Sequence, residues 1–183
     1  MTKNELEYNE EDYEVRILTP EDVTLEYVKW ISDPEIIKYS QNRYRTFTFN
    51  GQIKYVEGML NCPNHHLYGI FHKKTHIGNI VFGPIDWVNS VCETRVVIGY
   101  KKYWGKKILH NCFKKVIKKS FDKYPFFKVC SNTYSNNLST IFAMRKFGFI
   151  KEGCRKYHRV FQDIRVDLLE YSIFLEYGEV VEK

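Results

Sequence analysis

Hydrophobic and polar positions alternate along residues 13–18, Tyr-Glu-Val-Arg-Ile-Leu, the period of a strand with one buried face. Thr19-Pro20-Glu21-Asp22 then reads as a helix start, with Thr as N-cap, Pro at the first helical position and acids in the first turn. That helix is expected to run to about Ile31 and to be broken by Asp33-Pro34, with one more helical turn over 35–39. Residues 40–49 are polar and aromatic and read as a loop placed to line a pocket; Asn50 is placed to cap a second helix over 52–60. Three strands follow, over 67–71, over 77–82 after the turn His72-Lys73-Lys74-Thr75, and over 91–98, a β-meander. After Gly105 the period becomes helical. Ile108, Leu109, Cys112, Phe113, Val116 and Ile117 share one face, and Lys107, Lys114, Lys115, Lys118 and Lys119 fall largely on the other. Pro125 ends that unit. A strand over 126–131, a short helix over 137–146 closed by Gly148, and two strands over 149–158 and 165–175 complete the chain. The order β-α-α-β-β-β-α-β-α-β-β is that of a single α/β domain.

Composition adds limits to this pattern. The 183 residues suit one domain, and 44% hydrophobic with 27% charged positions is ordinary for a soluble globular chain. No apolar run approaches the length of a membrane span and the N-terminus does not read as a signal peptide, so the expected location is cytoplasmic and no membrane partner is expected. The cysteines at 62, 92, 112, 130 and 154 form no C-x-x-C pair. They read as reduced core residues, with no metal site expected. Residues 1–12 hold five acids and one lysine, a charge of −4, so the remaining residues carry +10 of the formal net +6. The first twelve residues show neither period and read as a flexible acidic tail ahead of a domain over 13–183. The basic body points to anionic partners. The lysine-rich helix alone reads as a solvated face, so nucleic acid is not expected among them.

Two groups of residues carry candidate chemistry. The β-branched run ending at Gly99 leads into a loop with Lys101, Lys102, Gly105, Lys106 and Lys107 and at once into a helix. Unpaired N–H groups and the positive dipole end of a helix favour an anion, so this loop is either a phosphate cradle or an ordinary turn with solvated lysines. The second group mixes arginines with rings: Arg43, Tyr44, Arg45 and Phe47 in the first loop, and Arg155, Tyr157, His158 and Arg159 in the closing hairpin. Arginine forks and flat rings suit an acceptor bearing phosphates and a base, and equally describe a solvated basic face.

The loop motif Gly-x-Lys-x-x-Trp-Gly-Lys over 99–106, the pair Asn137-x-x-Thr140 with Lys146-x-Gly148-Phe149, and Glu152-Gly153-x-Arg155 with Asp167 beyond stand in order along the chain. Together they resemble the GNAT acetyltransferase superfamily over nearly the whole of residues 13–175, in the branch of ribosomal-protein N-terminal and nucleotide-amino-sugar N-acetyltransferases. The resemblance implies a mostly antiparallel central sheet with flanking helices and acetyl-CoA as co-substrate. Lys102, Trp104, Gly105, Lys106, Lys107 and the Ile108 helix start would bind the pyrophosphate. The strand end at residues 96–98 would pair with the pantetheine arm, an amide near Val97 or Ile98 serving as oxyanion donor. Asn137 would bond the pantetheine amides. The chain departs from the family pattern at Lys102, at Lys107 and at Met144, which stands where many members carry an acid Tyr. Thr140 or Tyr134 is then the proton donor, or the thiol leaves with little help, its pKa being about 8.5.

Amine acetylation needs a base to free the amine. The candidates are Glu93, which matches an acid common in the branch, His76, Asp86, and one of the adjacent pair His65 and His66. Asp86 reads equally as a turn cap, Glu93 as a solvated edge carboxylate and His76 as a hairpin-turn histidine. The acceptor implied is a small primary amine, a nucleotide-linked amino sugar contacted by Arg43, Arg45, Arg155 and Arg159. The alternatives are acetylation of a protein N-terminus and a non-catalytic acetyl-CoA-binding module. Aromatic edges leave a homodimer open.

Overall fold

In the computed structural model, which describes residues 12–105, 108–122, 125–176 and 179–181, the chain begins with β1 (Tyr13–Ile17), α1 (Leu25–Ser32) and α2 (Phe49–Leu60). It continues with β2 (His66–His72), β3 (Thr75–Asp86), β4 (Val91–Ile98) and α3 (Ile108–Phe121). It ends with β5 (Lys128–Tyr134), α4 (Leu138–Phe147), β6 (Ile150–Phe161), β7 (Ile164–Glu176) and β8 (Glu179–Val181). The strands form one sheet in the order β1-β2-β3-β4-β5-β7-β6, with β8 added to β7, and only the β4–β5 pair is parallel. The predicted order of elements holds, and β8 is an addition to it. The expected tail lies, apart from Asp12, outside the described residues.

Local chemistry moves several boundaries. Thr19 does open a helical turn, and the Asp22 carboxylate accepts from the Thr19 N–H (2.9 Å), but the turn is a 3₁₀ piece over Pro20–Asp22. Val23 is extended and buried, so the true N-cap is Thr24, whose hydroxyl accepts from Tyr27 N–H at 3.1 Å. Thr48, not Asn50, caps α2 by accepting from Gly51 N–H at 3.1 Å. β5 starts and ends later than its hydrophobicity suggests, because its polar residues 131–134 pair with β7. β3 runs on to Asp86 through an irregular stretch containing the cis Gly83–Pro84 bond. The closing hairpin extends to a two-residue turn at Gln162 and Asp163, both with positive φ, the geometry that matches strand twist. Gly148 takes the expected left-handed conformation at the end of α4.

Two cores sandwich the sheet. On the back, α3 and α4 cover Ile70, Ile80, Phe82, Cys92, Val129 and Ile173. The helix face read from the sequence is the one buried, while Lys119 Nζ reaches the Val15 carbonyl (2.6 Å) of the edge strand. On the front, α1 and α2 pack Trp30, Ile31 and Val56 on Leu67, Phe71 and Val81. This front core contains a polar centre. Tyr27 Oη accepts from Gln52 Nε2 (2.8 Å) and Asn79 Nδ2 (2.7 Å), and Asn79 Oδ1 in turn bonds His76 Nε2 (2.7 Å). His76 Nε2 also lies 3.1 Å from Gly78 O, so that nitrogen carries the proton. His76 is 8% exposed, among the rings of Tyr27, Trp30 and Phe71. It is a core histidine, neither a hairpin-turn residue nor a candidate base, and burial holds its pKa below the ordinary value. Gly99 also serves this core: a Cβ there would stand 2.3 Å from the Trp30 ring.

Tyr27→Phe should leave two buried donors without an acceptor and destabilise the fold by about 1–3 kcal/mol, read as a lower urea midpoint with an unchanged m-value. His76 binds a proton more readily in the unfolded chain. Its contribution is complete above the unfolded pKa of about 6.5 and is lost as pH falls toward the lower folded value, by at most about 1.4 kcal/mol per pH unit. Urea melts between pH 8 and 5 should show this slope in the parent and a shallower one in His76→Gln.

Candidate active site

β4 and β5 stay together for three residue pairs, Val91–Lys128, Cys92–Val129 and Glu93–Cys130, and then part. Ser131 Oγ reaches the Thr94 carbonyl (3.1 Å) at the fork. In a paired strand both backbone groups of one residue point to one side and those of the next to the other. Gly99 N–H donates to Ile77 O of β3 (2.8 Å), whereas Thr94 O faces β5, so the even positions address the gap. The amides that open into it are therefore those of Val96 and Ile98. Val97, expected there, turns its amide to Asn79 of β3. Sequence alone carries no sign of this parity, so it places the arm along residues 96–98 without separating the amides that face it. The Ile98 carbonyl is held by Trp104 Nε1 (3.0 Å).

The loop beyond β4 has several of its cations already engaged. Lys101 pairs with Glu35 and lies 3.6 Å from Asp33. Lys102 Nζ lies 5.1 Å from the centre of the Tyr103 ring, and Tyr103 is buried with its hydroxyl on His72 Nδ1 (2.7 Å). Gly105 has φ +71° and open space around its missing Cβ, the conformation and clearance an anion cradle needs. Lys106 and Lys107 lie outside the described residues. The Ile108 side chain is 2% exposed and faces the core, so only its backbone can face a ligand. Among the described residues, a phosphate here would meet the Gly105 turn and the start of α3.

Across the gap, Asn137 caps α4: its Oδ1 accepts from Thr140 N–H (3.4 Å) and Ser139 Oγ (3.2 Å), which leaves its Nδ2 as the group for a ligand. Thr140 is half-buried in the first turn of α4, and Met144 packs on the back core. Tyr134 is 4% exposed; its hydroxyl accepts from Gln41 Nε2 (2.7 Å) beneath Tyr39, Arg43 and Phe161. That bond uses a lone pair of the hydroxyl and leaves its O–H to donate.

On the front, the sheet between α2 and the closing hairpin forms a groove floor. Glu93 and Arg95 contribute from β4, Lys128 and Cys130 from β5, Glu170 and Ser172 from β7. Glu93 is exposed at the fork. Lys128 Nζ bonds Glu152 (2.8 Å), which also accepts from Ser172 Oγ (2.5 Å), and Arg155 pairs with Glu170 (2.5 Å). Arg155 is thus an ion-pair partner rather than the free cation expected. Arg43 is committed as well, to the carbonyls of Lys38 (2.7 Å) and Val160 and to the Tyr44 hydroxyl, tying the loop to the hairpin. Arg45 and Arg159 have no carboxylate within ion-pair distance among the described residues. Arg159 shares a strand face with Phe161, which stacks on Tyr39 in the groove wall. Arg95, which the sequence did not single out, bonds Gly83 O (3.1 Å); with Arg45 it opposes the rise in the Tyr55 hydroxyl pKa that burial causes. Asp86 caps its own turn, accepting from Val88 N–H (3.0 Å), Asn89 N–H (2.9 Å) and Asn89 Nδ2 (2.7 Å), so it is the turn cap and not a base.

Comparisons with known proteins follow this geometry. Residues 14–150 match a family model described as an acetyltransferase (GNAT) domain. No curated protein sequence matches the chain. Among solved structures, RimL, a ribosomal L7/L12 α-N-protein acetyltransferase in complex with coenzyme A, superposes with a TM-score of 0.80 at 14% identity, over 91% of this chain and 96% of that one. The spermidine N-acetyltransferase of Vibrio cholerae, with CoA and spermine, gives 0.78 at 14% identity over 90% and 96%. The microcin C7 self-immunity acetyltransferase MccE, with acetyl-CoA and AMP, gives 0.78 at 17% identity over 91% and 94%. At these identities the superpositions establish a shared fold, while the family match spans most of the chain. The described residues contain no helix long and apolar enough to cross a membrane. With residues 14–150 matched by that family model, the chain belongs to the GNAT acetyltransferase family.

Proposed function

We propose that this acetyltransferase moves the acetyl group of acetyl-CoA to the primary amine of a small anionic acceptor, a nucleotide-linked amino sugar used in surface-glycan synthesis. The observation that carries the reading is the set Arg45, Arg95 and Arg159, three cations around the front groove with no carboxylate partner among the described residues. Guanidinium forks match phosphate oxygens, and the rings of Tyr39, Tyr44 and Tyr55 offer faces to a base. The neighbours described as acting on spermidine and on ribosomal proteins share the same fold, so the fold does not select the acceptor; charge at the groove does. The neighbour described with AMP agrees with a nucleotide-bearing acceptor.

In this reading the pyrophosphate of acetyl-CoA lies at the Gly105 turn and the start of α3, with the pantetheine arm in the gap beside Val96 and Ile98. Asn137 Nδ2 bonds the arm. The Ile98 amide donates to the thioester oxygen, where negative charge grows as the amine attacks. Glu93 stands at the fork, on the groove side of the reacting carbonyl. A thiolate of pKa about 8.5 leaves without a strong acid. Thr140 in the first turn of α4 and Tyr134, whose hydroxyl accepts from Gln41 and keeps its own proton, are the hydroxyls offered for that proton.

Thiol release from acetyl-CoA should be fastest with nucleotide-linked amino sugars, by about tenfold or more in kcat/KM over spermidine, free amino sugars and peptides. Turnover confined to peptides or polyamines would overturn the acceptor class. Arg95→Ala and Arg45→Ala should each raise the acceptor KM about tenfold or more and leave the KM for acetyl-CoA unchanged. Gly105→Pro should abolish acetyl-CoA binding in calorimetry, because proline cannot adopt φ +71° and removes an amide; unchanged affinity would show the loop to be only a turn.

A further inference from the structure

The registers place a row of residues across the sheet at the level where β4 and β5 part. Cys130 faces Glu93. On the other side of β4, Phe82 faces Thr94 and Ile85 faces Cys92, so the irregular Gly83-Pro84 stretch stands opposite Glu93. His66 faces Phe82, which puts His65 beside Gly83 on the far side. Gly83 thus lies between His65 and Glu93, and the His65 ring occupies the space a Gly83 side chain would fill. A Cβ at Gly83 would stand 2.4 Å from His65 Cδ2 and 2.6 Å from Asn64 O, so the imidazole lies against the bare backbone. Glu93 stands on the neighbouring strand beside this ring, and the Arg95 guanidinium donates to the Gly83 carbonyl.

His65 is held at one nitrogen and open at the other. Nδ1 lies 3.4 Å from Cys62 Sγ, and Nε2 has no hydrogen-bond partner among the described residues. The charged and titratable groups around it are Cys62 from the turn before β2 and Glu93 and Arg95 from β4, with β3 contributing none. Burial and Arg95 favour the neutral ring, and Glu93 favours the cation. The ring also borders a groove of about 490 Å³ lined by Met59, Leu60, Pro63, Leu67 and Trp87, which opens to solvent.

We propose that the acceptor's ammonium group is received between His65 and Glu93, that Glu93 holds its charge, and that His65 Nε2 is the base that takes its proton. This rests on the acyl-transfer reading above but not on the acceptor's identity. An imidazole near neutrality is better matched to this task than a carboxylate, which is too weak a base for an alkylammonium. With Nδ1–H donating to Cys62 Sγ, Nε2 accepts one ammonium proton and becomes imidazolium opposite Glu93. The amine lone pair then bonds to the thioester carbon, and the carbonyl pair moves to the oxygen beside the Ile98 amide. Collapse breaks the carbon–sulfur bond. The second nitrogen-bound proton goes to the departing sulfur, giving amide and CoA thiol, and His65 returns its proton to water through the groove.

The test is the pH dependence of acetyl transfer, with whichever amine the acceptor panel finds to turn over, so that a wrong acceptor class and a wrong base fail separately. The parent should lose kcat/KM on an acidic limb below about pH 6.5. His65→Gln should lower kcat by about 100-fold or more and abolish that limb, with the calorimetric affinity for acetyl-CoA unchanged. Glu93→Gln should instead raise the acceptor KM and keep the limb. A limb that survives in His65→Gln, or is absent from the parent, overturns the proposal. His65→Asn, which retains a polar nitrogen near Cys62, carries the same comparison if the Gln variant loses acetyl-CoA affinity.

Discussion

The parting of β4 from β5 is the constraint on which the rest of the molecule depends. A parallel pair that continued would consume the even-numbered amides of β4 in ladder hydrogen bonds. Because the pairing stops after Glu93 and Cys130, Val96 and Ile98 direct their backbone groups into a gap instead. Such groups carry strong hydrogen-bonding demands. The strand that leaves runs on into the glycine turn that precedes α3.

Keeping the strands apart requires rigid material on both faces. On the back, the α3 and α4 core fills the space with rings, Phe113 lying 4.8 Å from Phe147 and 5.7 Å from Phe82 between centroids. On the front, α1 and α2 are registered on β3 by the bonds from Gln52 and Asn79 to Tyr27, which tolerate little sliding. Trp30 reaches the end of β4 by lying on Gly99, so the front core touches the start of the phosphate loop. A glycine that reads as part of an anion motif thus owes its lack of a side chain to a tryptophan.

The groove is organised by which charges are already paired. Ion pairs occupy Lys128, Glu152, Arg155 and Glu170, and backbone carbonyls occupy Arg43. Glu93, Arg45 and Arg95 stand outside these ion pairs. The motif Asn137-x-x-Thr140 and the glycine turn were legible in the sequence because both are made by neighbours in the chain. The acceptor side was legible only as a composition of arginines and rings, since the sequence holds no record of which arginines are spent.

The sequence by itself determined the order of elements, the buried face of α3, the left-handed Gly148 and the glycine turn before α3. Each is set by periodicity or by residues within a few positions of one another, where local sterics and capping act. Tertiary structure alone decided which β4 amides face the gap, that His76 is a core residue, that Arg43 ties residues 117 positions apart, and that His65 meets Gly83 opposite Glu93. These depend on register and on contacts between distant segments, and a shift of one residue in register would reverse every face assignment on the strand.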